Sequence, residues 1–154
     1  MSVASTGTAD LDVASVAEIA ETLRRLLADV FALYLKTKSF HWHISGRHFH
    51  DDHLLLDEHA TQIFSMVDDI AERIRKMGGT ALRSIGDISR NQRLEDNDDE
   101  RLLATDMLRD LLDDNRRLTR FRRRAHECVI ATARSRLPAS SRIGLTNVND
   151  VPGS

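Results

Sequence analysis

The feature that most constrains the fold of this chain is a repeat of apolar residues at alternating steps of three and four positions. In the first stretch, from about residue 16 to 44, these positions include Val16, Ile19, Leu23, Leu26, Val30 and Leu33. Residues spaced in this way lie along one side of an α-helix, where they can pack against other helices. The pattern therefore predicts a long amphipathic helix that belongs to a bundle.

The same repeat occurs twice more along the chain. A second helix is predicted from about residue 51 to 77, with apolar positions at Leu56, Ala60, Ile63, Val67, Ile70, Ile74 and Met77. A third is predicted to begin at the acidic run 97–100, because acidic residues favour a helix N-terminus. Its apolar side consists of Leu103, Met107, Leu111, Leu118, Phe121 and Ala125. The predicted fold class is all-α, with a short helix from Ala81 to Ile88 between the second and third helices.

The size and composition of the chain fit a single helical domain. It has 154 residues, of which 30% are charged and 5% aromatic, and its formal charge is −2 at pH 7. That charge provides no overall attraction to nucleic acid or to an anionic membrane. The chain has one cysteine, Cys128, and shows neither a signal-peptide pattern nor an apolar run of about 18 residues. These features predict a cytoplasmic protein without a membrane segment.

The second predicted helix carries side chains that can bind a metal ion. His53 and Asp57 are four residues apart, and so are Asp68 and Glu72. At about 3.6 residues per turn, all four fall within an arc of roughly 100° on one side of the helix. Imidazole and carboxylate groups together suit divalent iron, manganese or zinc, whereas calcium sites consist of oxygen ligands alone. The spacing therefore predicts a site for an ion of the first kind.

The length of this helix limits how the four residues can act together. Asp57 and Asp68 lie about 16 Å apart along the axis, so one ion cannot bind to both. Either the two pairs serve separate sites, or a second copy of the chain lies antiparallel and places its His53 and Asp57 opposite Asp68 and Glu72. The apolar stripe of the helix points roughly 120° away from the metal-binding face, which favours a partner chain.

Residues in and before the second helix share the spacing of a known family. They are His41, Trp42, Gly46, Phe49, His53, Asp57, Asp68, Ala71, Glu72 and Arg73. In these positions the chain resembles the Dps family, the ferritin-like DNA-binding proteins from starved cells. The resemblance implies a ferritin-like four-helix bundle with an iron-oxidising centre at a two-fold dimer interface. It also implies that one subunit supplies His41, His53 and Asp57 while its mate supplies Asp68 and Glu72.

The resemblance also implies a function. A protein of this family is a ferroxidase that oxidises ferrous iron, preferably with hydrogen peroxide. It stores the ferric product as mineral in a hollow homododecamer and so protects the cell against oxidative stress. Iron (Fe2+/Fe3+) is the cofactor implied. Trp42 is a possible electron-transfer neighbour of the centre, although a simple packing role fits its position equally well.

A nucleoid-binding structural protein is an alternative function. The third helix contains a cluster of arginines at Arg116, Arg117, Arg120, Arg122, Arg123 and Arg124. We interpret this cluster as a solvated helix face that balances the acidic residues 110, 113 and 114. Neutralising phosphates requires cations, and residues 1–23 contain no Lys or Arg that could form a basic tail. The sequence therefore gives DNA binding only weak support.

The two ends of the chain differ from the helical region. Residues 1–11 are predicted to be a disordered tail, and residues 12–127 the ferritin-like domain. The family pattern would continue with a fourth helix after about residue 127, but Pro138, Gly144 and Pro152 interrupt any helical repeat there.

Residues 128–154 are therefore predicted to be an atypical tail in which the fourth helix is lost. The segment is either divergent and disordered or the product of a reading-frame shift, since compatible codons read one base earlier can encode such a helix. In either case we expect the assembly that depends on the fourth helix to be impaired, although the predicted metal ligands are intact. An inactive, frameshifted copy of the family is a further alternative to the ferroxidase function.

Overall fold

The computed structural model describes residues 13–135, and over that range it contains helices and no strands. Five helices follow one another: α1 (Val13–His43), α2 (Phe49–Phe64), α3 (Met66–Lys76), α4 (Ile85–Asn91) and α5 (Ala104–Ser135). None of these helices combines the length and the apolar character needed to cross a membrane. The predicted all-α class is confirmed, and the predicted tail 1–11 lies outside the described residues.

The core of the bundle lies around α1, which packs against all four of the other described helices. Leu27 and Leu33 of α1, Leu56 of α2, Ile74 of α3 and Leu111 of α5 are almost completely buried. In contrast, α2 and α5 flank α1 without packing extensively against each other. The apolar repeats of the sequence therefore meet along α1, as the bundle prediction requires.

The second predicted helix is divided into α2 and α3 at Ser65. The backbone of Ser65 keeps helical angles, with φ −59° and ψ −20°, and its N–H donates to the carbonyl of Thr61 at 3.1 Å. Its hydroxyl donates to the carbonyl of Gln62 at 2.7 Å, a contact with the preceding turn that often bends helices. The helical path thus continues through Ser65. The distance between the pair His53/Asp57 and the pair Asp68/Glu72 can therefore still be calculated from the rise per residue of a single helix.

The short helix α4 begins later than the sequence predicted. We expected it from Ala81 to Ile88, whereas it spans Ile85–Asn91. Ser84 is the N-cap, and its hydroxyl accepts a hydrogen bond from the backbone N–H of Asp87 at 3.1 Å. A serine in this position satisfies a free N–H of the first turn, which fixes where the helix starts.

The prediction that α5 begins at residues 97–100 is wrong, because the helix begins at Ala104. The side chain of Asn97 accepts a hydrogen bond from the N–H of Asp99 at 3.1 Å, and that of Asp99 from the N–H of Arg101 at 2.9 Å. Such contacts two residues apart are turns that compete with a helix for the same backbone groups. Leu103, which we expected on the apolar side of the helix, is therefore 67% exposed.

The other end of α5 extends to Ser135, so the chain is still helical beyond residue 127, where we expected the pattern to fail. Residues 128–135 contain neither proline nor glycine, and extending an existing helix needs no apolar repeat. The remainder of the predicted tail, residues 136–154, lies outside the described residues. The expected loss or frameshift of the fourth helix falls mainly on that part of the chain.

Buried ion pairs hold the segment between α4 and α5 against α1. Asp29 of α1 is completely buried and accepts hydrogen bonds from the N–H of Arg93 at 2.7 Å and from its guanidinium at 2.5 Å. The ammonium of Lys36 donates to Asp114 of α5 and to the carbonyl of Glu95, each at 2.5 Å. Because an unpaired buried charge is strongly destabilising, these contacts fix the second half of α1 in place.

Candidate metal centre

Two of the predicted ligands meet where α1 joins α2. His41 lies in the last turn of α1 and His53 in the second turn of α2, and their rings stack with centroids 3.7 Å apart. The chain reverses between them at Gly46, whose φ of +123° lies in a region that only glycine adopts readily. The turn therefore brings together two imidazoles that are twelve residues apart in sequence.

Each of these imidazoles is held by the backbone of the other residue. Nδ1 of His41 lies 2.9 Å from the carbonyl oxygen of His53, and Nδ1 of His53 lies 3.0 Å from the carbonyl oxygen of His41. Because a carbonyl oxygen only accepts hydrogen bonds, both Nδ1 atoms must donate. In the neutral rings the lone pairs therefore belong to Nε2. Both Nε2 atoms are thus oriented and available to bind a metal ion, and histidines that bind metals are typically held in this way.

Asp57 completes this group one turn further along α2. Its Oδ1 lies 4.0 Å from Nε2 of His41 and 2.7 Å from Nζ of Lys38. The hydrogen bond and positive charge of Lys38 lower the pKa of Asp57, so the side chain is a carboxylate at neutral pH. The structure thus places three of the five predicted ligands together, and we name His41, His53 and Asp57 the imidazole half-site.

The two remaining predicted ligands, Asp68 and Glu72, lie on the exposed side of α3, and we name them the carboxylate half-site. Glu72 accepts a hydrogen bond from Lys76 at 2.7 Å, and this contact lowers the pKa of Glu72. The helical rise separates Asp68 from Asp57 by about 16 Å. Within residues 13–135, no three His, Cys, Asp or Glu side chains of one chain form a metal-binding group. One chain therefore keeps the two groups of predicted ligands apart.

Trp42 projects away from the imidazole half-site. It is 61% exposed and lines a cavity of about 610 Å³ between α1, α4 and the segment that follows α4. Leu35 and Ile85 line the same cavity and are also strongly exposed. The indole is next to His41 in sequence but occupies no ligand position.

Sequence reasoning missed Lys38, whose ammonium contacts the Asp57 carboxylate directly. Lys38 lies three residues before His41, and residues at that spacing share one side of a helix. That spacing could have indicated that Lys38 lies near the ligand His41. It could not show that the lysine contacts Asp57 of α2, because that contact depends on how the two helices pack.

The arginines of α5 are mostly exposed, as the solvated-face interpretation predicts, but Asp114, which we expected on that face, is buried and pairs with Lys36 of α1. Arg116 pairs with Asp113 at 3.2 Å and Arg117 with Glu95 at 3.0 Å. In the described part of the chain, no acidic partner is found for the exposed residues Arg120, Arg122, Arg123 and Arg124. In this part of α5 four exposed guanidinium groups thus follow one another within about one and a half turns.

Comparison with known proteins extends these observations to a family. The sequence profile of the ferritin-like domain family matches residues 20–133. DNA protection during starvation protein 1 of Deinococcus radiodurans is 41% identical over 97 residues, which are 60% of this chain and 47% of that protein. The chain thus spans about half the length of this curated relative.

Solved structures share the helical arrangement. The Dps protein from Vibrio cholerae O1 superposes with a TM-score of 0.76 at 23% identity, covering 88% of this chain and 84% of that one. Antigen TpF1 from Treponema pallidum gives a TM-score of 0.76 at 25% identity, covering 86% and 83%. The chain belongs to the ferritin-like family, and its resemblance to the Dps proteins of that family is confirmed.

Proposed function

We propose that this protein is a Dps-like ferroxidase and iron-storage protein whose oxidising centre forms between two copies of the chain. In this proposal His41, His53 and Asp57 of one copy and Asp68 and Glu72 of the other bind ferrous iron as the substrate. The observation that carries the proposal is the imidazole half-site, where two locked histidines present free Nε2 atoms beside a carboxylate.

The separation of the two half-sites supports a partner copy. If a second chain lies antiparallel across the α2–α3 segment, its carboxylate half-site faces the first chain's imidazole half-site, and the reverse holds as well. Such a contact is isologous, as two-fold interfaces are, and it creates two equal centres. By helical spacing Phe64 lies on the same side of the segment, between the half-sites, and it is half-exposed, as is Leu54 next to His53 in sequence. Exposed apolar groups among polar ligands are typical of a protein interface.

The ligand types suit oxidation of iron. Neutral imidazoles bind ferrous iron, and carboxylates stabilise the additional charge of ferric iron. Two ferrous ions each give one electron to a hydrogen peroxide molecule, which takes up two protons and becomes two molecules of water. Because the peroxide receives both electrons, no hydroxyl radical is released, and the reaction therefore protects against oxidative stress. The family resemblance supports mineral storage in a cytoplasmic dodecamer that is built from such dimers.

Anaerobic titration of the purified protein with ferrous iron, followed by addition of hydrogen peroxide, tests this function. We expect saturable binding and rapid formation of ferric iron at a ratio of two ferrous ions to one peroxide. His41→Ala and Asp68→Ala should each abolish the fast phase, since each removes a ligand from a different half-site. Slow oxidation that is the same in all three proteins would refute the proposal and favour an inactive copy of the family.

DNA binding is the second candidate, and the free arginines of α5 are the observation that favours it. Guanidinium groups pair well with phosphates, and their contribution to DNA binding weakens as the salt concentration rises. Against this role, the net charge is −2 and residues 1–23 carry no cation. A gel shift with duplex DNA at low micromolar protein that weakens with salt would establish it, and no shift at low salt would exclude it.

A further inference from the structure

A third aromatic ring lies against the two stacked rings of the imidazole half-site. The ring of Phe49 contacts that of His53, with centroids 5.1 Å apart and planes inclined at 34°. His53 also stacks on His41, at 3.7 Å and 25°. Within residues 13–135, no ring contact is found between Phe49 and His41, so His53 is the middle ring of the three.

The turn that precedes α2 positions Phe49 for this contact. Phe49 is the first residue of α2, and its N–H donates to the carbonyl oxygen of Gly46 at 3.2 Å. His53 follows four residues later, so the two side chains are neighbours on one side of the helix. The turn that brings His41 to His53 thus also fixes the place of the Phe49 ring.

Burial in the core does not account for an aromatic residue at position 49. The side chain is 46% exposed and lies outside the set of buried apolar residues that form the core. Exposed apolar surface gains nothing from the hydrophobic effect. The ring contact that the structure gives Phe49 is instead with a predicted metal ligand, His53.

This contact complements the hydrogen bond that holds His53. The bond from Nδ1 to the carbonyl oxygen of His41, at 3.0 Å, fixes one atom of the imidazole but leaves the ring able to tilt about that atom. Contacts with neighbouring rings restrict the tilt, because aromatic groups prefer a small set of mutual orientations. A ring that cannot tilt keeps its Nε2 lone pair aimed in one direction, as a metal ligand must.

We propose that Phe49 is a positioning residue of the centre, which holds the imidazole of His53 against that of His41 and keeps both Nε2 atoms aimed at the bound ion. Phe49 has no ligand atom of its own and acts through His53. His41 is affected as well, because its own ring contact is with His53. This inference rests on the proposed ferroxidase function.

Anaerobic titration of the full-length protein with ferrous iron tests the inference. Phe49→Ala removes the ring, Phe49→Leu keeps apolar bulk without a flat face, and Phe49→Tyr restores the flat face on a side chain that is half-exposed. We expect the first two to weaken ferrous binding by about tenfold and Phe49→Tyr to remain within about twofold of the wild type. Leucine would replace a residue that only filled space, so the difference between leucine and tyrosine separates the two roles.

The visible absorption of the protein saturated with Co2+ provides a second readout. The bands of this ion depend on how its ligands are arranged, which a purely structural role of Phe49 would not change. We expect Phe49→Leu to alter the spectrum and Phe49→Tyr to keep that of the wild type.

Leu55→Ala is the matched control for the loss of an exposed apolar side chain. Leu55 is 55% exposed and lies on the same helix, two residues after His53 and on the other side. We expect this change to alter ferrous affinity by less than about twofold. The inference is overturned if Phe49→Leu binds ferrous iron as the wild type does, or if Phe49→Tyr loses as much affinity as Phe49→Ala. Failure of the wild type to bind any ferrous iron would instead overturn the proposed function, so the two failures are distinguishable.

Discussion

The two half-sites of the candidate centre differ in how much of their geometry one chain fixes. In the imidazole half-site, two rings from different helices stack and bond to each other's backbone. In the carboxylate half-site, Asp68 and Glu72 project from one exposed helix face. Among residues 13–135, the side chain that bonds to the Glu72 carboxylate is that of Lys76 on the same helix. The first half-site is built by the fold of one chain, whereas the second is open in one chain and is covered by a partner only in the proposed dimer.

This contrast shows which of the predicted ligands are oriented before a metal ion binds. Ligands at a junction of two helices are oriented when the helices pack, before any metal binds. Ligands on an outer face keep their freedom until a partner covers them. We therefore expect changes in the imidazole half-site to affect both folding and metal binding, and changes in the carboxylate half-site to affect metal binding alone.

The largest effect is expected from His53→Ala. The change removes a ligand nitrogen, leaves the carbonyl of His41 without its donor and abolishes the ring stacking. Ferrous affinity should fall by about a hundredfold or more, and the free energy of unfolding by about 1 kcal/mol. Anaerobic titration and thermal unfolding measure the two quantities. His59→Ala on the same helix, outside the ligand face, is the control, and an equal loss of affinity there would contradict the account.

Asp68→Ala should produce a smaller and purely functional loss. We expect ferrous affinity to fall by about tenfold to a hundredfold with no change in the unfolding midpoint, because the side chain is exposed and supports no packing. Asp69→Ala provides a matched control, since it removes an adjacent exposed acid that points away from the ligand face. A marked drop in the unfolding midpoint of Asp68→Ala would show that the two half-sites do not differ as described.

Trp42→Phe should have the smallest effect. The indole is exposed and occupies no ligand position, so ferrous affinity should change by less than about twofold. Stopped-flow measurement of ferric iron formation separates the two roles considered for this residue. A slower rate at unchanged affinity indicates electron transfer, and an unchanged rate indicates packing. A large loss of affinity would place Trp42 in the site and contradict our description of it.

Much of the fold was predictable because helical periodicity is a local property of the sequence. The three-four repeats located α1, the α2–α3 segment and most of α5, and the register of His53, Asp57, Asp68 and Glu72 followed from helical spacing alone. The prediction that Asp57 and Asp68 of one chain cannot bind the same metal ion depended only on the rise per residue of an α-helix.

The features that sequence reasoning missed depend on side-chain chemistry or on tertiary contact. The turns at Asn97 and Asp99 displaced the start of α5, because their side chains bond to the backbone two residues ahead. The reciprocal bonds of His41 and His53 and the reach of Lys38 to Asp57 require two helices to be packed in a definite way. No periodic pattern encodes such a contact.

The central claim is that each centre draws ligands from two copies of the chain, and mixing two inactive variants tests it most directly. His53→Ala and Glu72→Ala chains are unfolded, combined in equal amounts and refolded together. Half of the dimers then contain one chain of each kind, and in each of these one of the two centres has all five ligands intact. We predict that the mixture recovers about a quarter of the wild-type rate of peroxide-dependent iron oxidation, although neither variant alone is active. A mixture as inactive as its two components, at full assembly, would contradict the account.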